Sequence, residues 1–225
     1  MAKKYGFIDK NGKVVIEPQF DDAGDFSEGF AQVKKDGKYG FIDKSGKVVI
    51  EPQFDYVRDF SEGLAQVEID GKVGFIDKSG KVVIELEFDV AFSFSEGLVC
   101  VEKDGKYGFI DKNGKVIEPQ FDEVGSFIEG FVCVEKDGKW GFIDKNGKVV
   151  IEPQFDDAGA FSEGFGGVEI DGKWGFIDKS GKVVIEPQVD YADDFSKWGF
   201  IGKEGLWRVE KNGKRGFIDK NGTVV

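Results

Sequence analysis

Histidine is absent from the sequence, and this absence excludes much of enzyme chemistry. Histidine is the commonest general base, the usual partner of a serine or cysteine nucleophile, and the commonest zinc ligand. The two cysteines, Cys100 and Cys133, are too few to build a disulfide framework or a thiolate metal cage. We therefore predict that the protein is not an enzyme and that it has neither a metal site nor another cofactor.

Positive charge and long apolar runs are also scarce. Lys and Arg number 31 against 43 Asp and Glu, so the formal net charge is −12, spread along the chain. Nucleic acids and anionic membranes bind basic surfaces, so neither is an expected partner. No apolar run approaches the ~18 residues of a membrane span, and the N-terminus has no apolar targeting segment. The compartment stays open, with the cytoplasm as the default expectation.

Glycine and phenylalanine are abundant, with 33 and 23 copies, and both belong to an internal repeat. The pentad x-Gly-Phe-Ile-Asp begins at Tyr5, Tyr39, Val73, Tyr107, Trp140, Trp174 and Arg215. The period is about 34 residues, shortened once by a missing Val and lengthened once by the insert 197–203, which copies the start of the pentad. We predict a single array over 1–225, with a partial copy at 1–29, full copies from about 30, 64, 98, 131 and 165, and a last copy at 206–225.

Each copy is predicted to form a three-stranded antiparallel meander. Asp36-Gly37 is typical of a type I′ hairpin turn, which needs positive φ at both central positions. The Lys-Ser-Gly sequence at 44–46 predicts a longer hairpin loop with its glycine in the left-handed conformation. These two turns separate apolar segments at 30–34, 38–43 and 47–51, which we interpret as the three strands.

The segment that joins one copy to the next is expected to be irregular. Five prolines occupy the same position in it and are expected to end ladder pairing there: Pro18, Pro52, Pro119, Pro153 and Pro187. Apolar residues then recur at every third position, as at Phe20, Ala23 and Phe26. A period of three is not a strand period, which predicts a turn-like crossover held by three buried side chains.

Apolar residues at adjacent strand positions predict how the copies pack. Phe41 and Ile42 are neighbours in one strand and must point to opposite faces of the sheet. Each sheet therefore needs cover on both faces, which blade-on-blade stacking provides. A β-propeller-like arrangement is favoured. The alternative is an open β-superhelix or solenoid, because both ends of the chain supply the same strands and offer no simple seam for closure.

Three triplets carry a family resemblance: Lys139-Trp140-Gly141, Lys173-Trp174-Gly175 and Lys197-Trp198-Gly199, each followed by Phe-Ile. With the phrase at 140–155, they resemble the bacterial WG (or KWG) repeat family over essentially the whole chain. Other copies depart from the pattern, with Tyr or Val in place of Trp and Arg215 in the last copy. The resemblance implies a bacterial origin and an interaction role, and it supplies no catalytic residues.

Several repeated polar motifs have structural interpretations. The aspartate that ends each pentad, such as Asp43, is expected to bond turn amides, since a calcium loop would need several more carboxylates. The Ser-Glu-Gly triplets, as at 27–29, are interpreted as turns. Cys100 and Cys133 hold equivalent positions in adjacent copies and are expected to be small buried thiols, with a disulfide as the alternative.

Candidate binding residues come from positions that vary among copies while their neighbours do not. One column runs along the first strand of each copy, with an unusual Trp beside its last member: Gln32, Gln66, Cys100, Cys133, Gly167, Arg208 and Trp207. A second set precedes the pentad glycine and offers aromatic contacts: Tyr39, Tyr107, Trp140, Trp174 and Trp198. Drift at solvent-facing positions is the favoured explanation of the first set, and packing over the adjacent glycine is the favoured explanation of the second.

The predicted function is therefore that of a non-enzymatic binding scaffold. Protein–protein interaction through repeated loops and strand edges is the leading hypothesis. A glycan or cell-envelope binding module that uses the aromatic set is one alternative. A consensus-like or engineered repeat scaffold without a natural ligand is another, because the copies are so nearly identical.

Overall fold

A computed structural model describes residues 3–192 and 206–223, apart from the side chain of Ser93. All regular structure in these ranges is β, in 25 strands, and no helix there is long and apolar enough to cross a membrane. The chain divides into two compact units. Unit 1 comprises Met1–Phe94, Val99–Asp104 and Ile110–Val116, and unit 2 comprises Ser95–Leu98, Gly105–Phe109 and Ile117–Val225.

The described strands form seven sheets in which neighbours in sequence are neighbours in space. The first pairs β1 (Tyr5–Ile8) with β2 (Val14–Phe20). The second sheet contains β3 (Asp22–Ser27), β4 (Phe30–Lys35), β5 (Lys38–Asp43) and β6 (Val48–Phe54). The third contains β7 (Tyr56–Val57), β8 (Leu64–Ile69), β9 (Lys72–Asp77) and β10 (Val82–Phe88). The fourth contains β11 (Val90–Ser95), β12 (Leu98–Lys103), β13 (Lys106–Asp111) and β14 (Val116–Phe121). The fifth sheet contains β15 (Glu123–Val124), β16 (Phe131–Lys136), β17 (Lys139–Asp144) and β18 (Val149–Phe155). The sixth contains β19 (Asp157–Ser162), β20 (Phe165–Ile170), β21 (Lys173–Asp178) and β22 (Val183–Val189). The seventh contains β23 (Tyr191–Ala192), β24 (Leu206–Lys211) and β25 (Lys214–Asp219).

The hairpin turns confirm the turn predictions. Asp36 and Gly37 have φ angles of 51° and 85°, as a type I′ turn requires, and the equivalent pairs in later copies behave alike. Gly46 has a φ of 84° in the longer loop, where its amide donates to the carbonyl of Asp43 at 2.9 Å. The all-β repeat of antiparallel meanders is therefore confirmed, and it follows from local turn chemistry.

Each complete sheet has four strands rather than the predicted three, because the crossover segment forms the additional strand. In β3, Ala23 pairs with Val33 and Phe26 pairs with Ala31, so three steps along β3 match two along β4. This extra residue is a β-bulge, which returns Ala23 and Phe26 to the same face although they lie three apart. The period of three is that of a bulged strand here, so the prediction of an irregular crossover is wrong for this copy. In the next copy only Tyr56–Val57 is strand, and the three apolar side chains are buried as predicted: Phe54, Val57 and Phe60.

The repeated proline does not end its strand, which corrects a second expectation. Strand β2 continues through Pro18: Phe7 pairs with Ile16, and Tyr5 pairs with Phe20. Two residues of β1 thus oppose four of β2, and proline lies in the resulting irregularity, where no ladder donor is needed. The bulged backbone passes directly over Gly6, where a Cβ atom would lie 2.4 Å from the Ile16 carbonyl oxygen. The pentad glycine is required because only hydrogen fits there.

Packing on both faces of a sheet is confirmed within unit 1. Phe41 packs with residues of the following sheet, including Phe60 and Ile76. Ile42, the next residue along β5, packs with Ile16 and other residues of the preceding sheet. Both side chains are fully buried. Adjacent apolar residues of one strand therefore belong to two different cores, and unit 2 repeats the arrangement.

Candidate functional site

The varying column of the first strand in each copy lies opposite the phenylalanine of the pentad. Gln32 pairs with Phe41 in register, and Gln66 pairs with Phe75 in the same way. Each of these side chains therefore faces the sheet of the following copy. We call these positions, occupied by Gln32, Gln66, Cys100, Cys133, Gly167 and Arg208, the strand slots.

A second varying column lies beside the strand slots on the crossover segment, either within its strand or directly after it, and sequence reasoning missed this column. The Arg58 amide donates to the Gln66 carbonyl at 2.9 Å, and a Cβ on Gly24 would lie 2.6 Å from Cγ of Gln32. We call these positions the crossover slots: Gly24, Arg58, Phe92, Gly125 and Gly159. The same copy-to-copy variation could have identified them, but the segment had been interpreted as an irregular linker.

In unit 1 the two kinds of slot converge on a cleft of about 370 Å³. Its walls come from three successive sheets, and both strand-slot glutamines, Gln32 and Gln66, line it. The crossover slots contribute Arg58 and Phe92. The remaining lining residues are Tyr56, Val57, Asp59, Ser61, Leu64, Phe75 and Phe94. The volume lies at the lower end of the range for ligand sites, which is about 300–1,000 Å³.

The polar side chains of the cleft are only partly engaged. Nε2 of Gln32 donates to Oδ1 of Asp59 at 3.2 Å, which occupies one side of that carboxylate. The Gln66 side chain is only 8% exposed and makes no hydrogen bond to the described residues. Arg58 is exposed, and its guanidinium forms no ion pair within the described part of the chain. The cleft therefore offers unused donors at Gln66 and Arg58, together with one positive and one negative side chain, Arg58 and Asp59.

Aromatic rings supply the apolar part of the cleft. Phe75 is buried beneath it and meets Phe94 edge to face, with ring centroids 5.5 Å apart. Phe92 is 44% exposed, although an aromatic side chain of this size is normally covered. Together with Leu64, these rings form an apolar wall next to the polar groups. Such a mixture suits a ligand with an apolar body and a polar group.

The other predicted residues of unit 1 do not line the cleft. Tyr39 is half-buried, with Nζ of Lys34 4.8 Å from its ring centroid and its hydroxyl 3.4 Å from Oδ2 of Asp22. Cys100 is a free, partly buried thiol, and burial, with the Glu102 charge, raises its pKa to about 12. It is therefore protonated at neutral pH and a poor nucleophile.

In unit 2 most of the predicted residues belong to the core. Trp140 and Trp174 are buried in inter-sheet clusters, which supports their interpretation as packing residues. Cys133 is fully buried and free, so the two cysteines do not form the alternative disulfide. The remaining predicted residues are placed as follows: Gly167 is buried, Arg208 is exposed, Tyr107 is half-buried, and Trp198 lies outside the described residues.

Trp207 is fully buried, so it has no surface with which to meet a ligand. It stacks on Phe176, with ring centroids 5.4 Å apart, and meets Phe165 at 5.2 Å. Phe161 packs in the same way against the previous sheet, through Phe142 and Phe131. The unusual tryptophan of the last copy thus fills a core position that phenylalanine fills elsewhere.

The repeated aspartates bond turn amides, as predicted. Oδ1 of Asp43 accepts from the amides of Ser45 at 2.8 Å and Lys47 at 3.1 Å. The Ser45 hydroxyl and these amides hold the pKa of Asp43 below its usual value. Among residues 3–192 and 206–223, no three Asp, Glu or Cys side chains gather as a metal ion would require.

The Ser-Glu-Gly turns also join successive copies. Ser27 donates through Oγ to the Phe60 carbonyl of the next copy at 2.8 Å. Oε2 of Glu28 accepts from the Gly63 amide at 3.1 Å and lies 3.0 Å from Nζ of Lys78. Because these contacts recur with the period of the repeat, the invariant polar residues are occupied by assembly of the array.

Solved structures with similar arrangements have low identity to this chain. Hsv2p of Kluyveromyces lactis is 12% identical, with a TM-score of 0.41 over 98% of this chain and 85% of that one. A eukaryotic initiation factor is 13% identical, with a TM-score of 0.47 over 96% and 69%. PorZ, a surface component of the type-IX secretion system of Porphyromonas gingivalis, is 8% identical, with a TM-score of 0.36 over 90% and 32%. These values say nothing about what this chain binds.

The repeat itself is the stronger likeness. No curated protein matches the chain significantly. The family model described as "WG containing repeat" matches six consecutive segments: 5–39, 39–72, 74–107, 107–140, 140–174 and 174–214. These matches follow the period read from the pentads and cover almost the whole chain. The chain therefore belongs to the family of proteins built from WG containing repeats.

Proposed function

We propose that this chain is a non-enzymatic scaffold that binds protein partners, with the cleft of unit 1 as its principal contact site. The observation that carries the proposal is the convergence of strand slots and crossover slots on one cleft. Positions that vary among copies, beside neighbours that do not, tolerate different side chains within the same repeat. Where several such positions meet in a concave surface, their variation can encode specificity.

The invariant residues support this proposal because they are already occupied. Phe41 and Ile42 fill inter-sheet cores, Gly40 accommodates a bulged strand, and Asp43 bonds turn amides. We call these invariant residues the frame of the repeat. Apart from its turns and strand edges, little of the frame is available to a partner. A protein segment can engage both the apolar wall and the polar groups of the cleft, whereas repeated loops alone would offer the same contacts in every copy.

A protein partner is favoured over a glycan by the burial of the tryptophans. Sugar binding in the alternative hypothesis depends on an exposed aromatic face, but Trp140 and Trp174 are 3% and 9% exposed. The cleft has two exposed rings, Tyr56 and Phe92, and neither belongs to the aromatic set on which the glycan hypothesis was built. None of the described residues of the predicted aromatic set lines the cleft: Tyr39, Tyr107, Trp140 and Trp174.

Selection of random dodecapeptides displayed on phage, with the full chain as target, tests the proposal. Selected peptides are expected to bind the wild type and to lose about tenfold or more in affinity for the double variant Gln66→Ala/Phe92→Ala. Small residues are tolerated at the strand slot, where other copies have Cys133 and Gly167, and Phe92 is partly exposed, so the variant should fold.

Arg215→Ala is the matched control, because Arg215 lies outside the cleft and its side chain is 84% exposed. Thermal unfolding of each variant verifies that the fold is retained. If no peptide is selected, or if the selected peptides bind the double variant as tightly as the wild type, the proposed site is wrong.

A further inference from the structure

Arg58 gives the cleft a charge whose sign is opposite to that of the protein as a whole. The net charge is −12, and only three arginines occur in the sequence. Arg58 is the only cation among the residues that line the cleft, and its guanidinium has no ion-pair partner within the described residues. Asp59 is the one acid of the lining, and Gln32 already donates to it. The guanidinium therefore offers an anionic group a partner at this point of the cleft, while Asp59, which remains negatively charged, disfavours an anion on its own side.

The guanidinium favours an anion with two adjacent oxygens. Arginine presents its N–H donors in a planar fork that matches a carboxylate or a phosphate, and of these an unmodified peptide carries the carboxylate. The equivalent crossover slots are occupied by Gly24, Gly125 and Gly159, so the frame of the repeat does not need arginine there. Arg58 is thus available for recognition instead of packing.

Gln66 supplies the second recognition element. Its side chain is more than nine-tenths buried, lines the cleft and has no hydrogen-bond partner among the described residues. A primary amide carries both donors and an acceptor, which complement the C=O and N–H of a peptide backbone. A ligand that pairs with both ends of this amide gains specificity, because a ligand without matching groups would leave the amide unpaired in the closed interface.

From these observations we infer that the cleft binds a peptide segment that places an Asp or Glu carboxylate beside a bulky apolar side chain. The carboxylate pairs with Arg58, a main-chain amide pairs with Gln66, and the apolar side chain packs on Phe92 and Phe94. This assignment rests on the proposed protein-binding function and adds the chemistry of the partner.

Synthetic peptides test the assignment directly. The probes are acetylated and amidated hexapeptides that combine one Glu with one Phe or Leu at every spacing, with Gln and Lys replacing Glu in two matched sets. Fluorescence polarisation with the full chain measures their dissociation constants. The tightest Glu peptides are expected to bind at least about tenfold more tightly than their Gln counterparts and to weaken as salt is raised.

Arg58→Ala is expected to weaken binding of the Glu peptides by at least about tenfold, to the level of the Gln peptides, and to leave the Gln peptides unchanged. Arg58→Lys keeps the charge without the planar fork and should give an intermediate loss. Arg215→Ala, which removes the same charge elsewhere, should change neither set.

The outcomes separate this inference from the proposed function. If Lys or Gln peptides bind best and Gln66→Ala weakens them, the cleft binds peptides but the acidic specificity is wrong. If phenylacetate, as a free acid, binds as tightly as the best peptide, the site takes small carboxylates and the peptide assignment fails. If no peptide of any set binds, both the inference and the proposed function fail.

Discussion

The slots of unit 1 and unit 2 occupy the same positions in the same repeat, yet their side chains differ in size and exposure. In unit 1 the crossover slots carry Gly24, which is half-buried, Arg58, which is exposed, and Phe92, which is 44% exposed. In unit 2 they carry Gly125 and Gly159, which are buried. The sheets that hold them share the same strand order and hairpin turns, although the first strand has two residues in β7 and β15 and six in β11 and β19. The difference shows that the frame fixes where a slot lies, while the residue in it decides whether the slot is closed packing or an open binding surface.

The largest expected effects come from the frame, and they should be equal in the two units. Phe41→Ala and Phe142→Ala each remove a buried ring that contacts a phenylalanine of the next sheet, Phe60 or Phe161, at 4.8 or 4.9 Å. Each substitution is expected to lower the free energy of unfolding of its unit by about 3–5 kcal/mol. Urea unfolding measures both. A large effect in one unit alone would show that the frames are not equivalent.

The next largest expected effect is a difference in the stability lost when two glycines are replaced by alanine, one packed under a bulged strand and one in a crossover slot. Gly40→Ala places Cβ 2.4 Å from the Ile50 carbonyl oxygen, and a strand backbone cannot move away cheaply, so we expect a loss of about 3 kcal/mol. Gly24→Ala meets only the flexible end of Gln32, so the loss should stay below about 1 kcal/mol. Chemical denaturation compares the two variants, and equal losses would refute the division into frame and slot.

Exchanging slot residues between the units should have opposite consequences. Gly159→Arg introduces a charge at a buried position of unit 2 and is expected to lower stability by about 2 kcal/mol, reduced by the reach of the long side chain to water. Arg58→Gly removes an exposed side chain and is expected to cost below about 1 kcal/mol. Thermal unfolding of both variants is the measurement. A stable Gly159→Arg protein would mean that the slots of unit 2 are open as well.

The smallest effect is a response to pH that both units share. The pKa values of Asp43 and Asp178 are lowered by hydrogen bonds from their turn serines, so each carboxylate stabilises the fold above its unfolded pKa. That stability is lost as pH falls through the lowered folded pKa values, below about pH 4. Glu169 in unit 2 opposes the trend, because burial and the neighbouring charges of Asp157 and Asp156 raise its pKa. Thermal midpoints should fall from pH 5 to pH 2, and a rise over that range would contradict the turn assignment.

Local signals in the sequence predict most of the frame. Asp36-Gly37 specifies its turn, and the adjacent Phe41 and Ile42 specify that sheets are covered on both faces. The fourth strand could not be predicted in this way, because the bulge between Ala23 and Phe26 converts the strand period of two into an apparent period of three. Pairing with the neighbouring strand decides this feature, and a single strand does not display it.

The candidate site was only half predictable for the same reason. Copy-to-copy variation identified Gln32 and Gln66, which line the cleft. It also selected Trp207, which is buried, because variation alone does not reveal the face to which a side chain points. Arg58 and Phe92 were missed because the crossover had not been recognised as a strand, so their proximity to the strand slots was hidden.

Mapping a bound peptide by two-dimensional ¹H–¹⁵N NMR tests the central claim most directly. With the tightest selected peptide added to the labelled chain, the amide signals of Arg58, Gln66 and Phe92 are expected to shift with the fraction bound. Those of Gly125 and Gly159, the closed slots of unit 2, are expected to stay in place. Shifts spread over the equivalent turns of every copy, with none at the cleft, would contradict the claim that the varying slots of unit 1 form the binding surface.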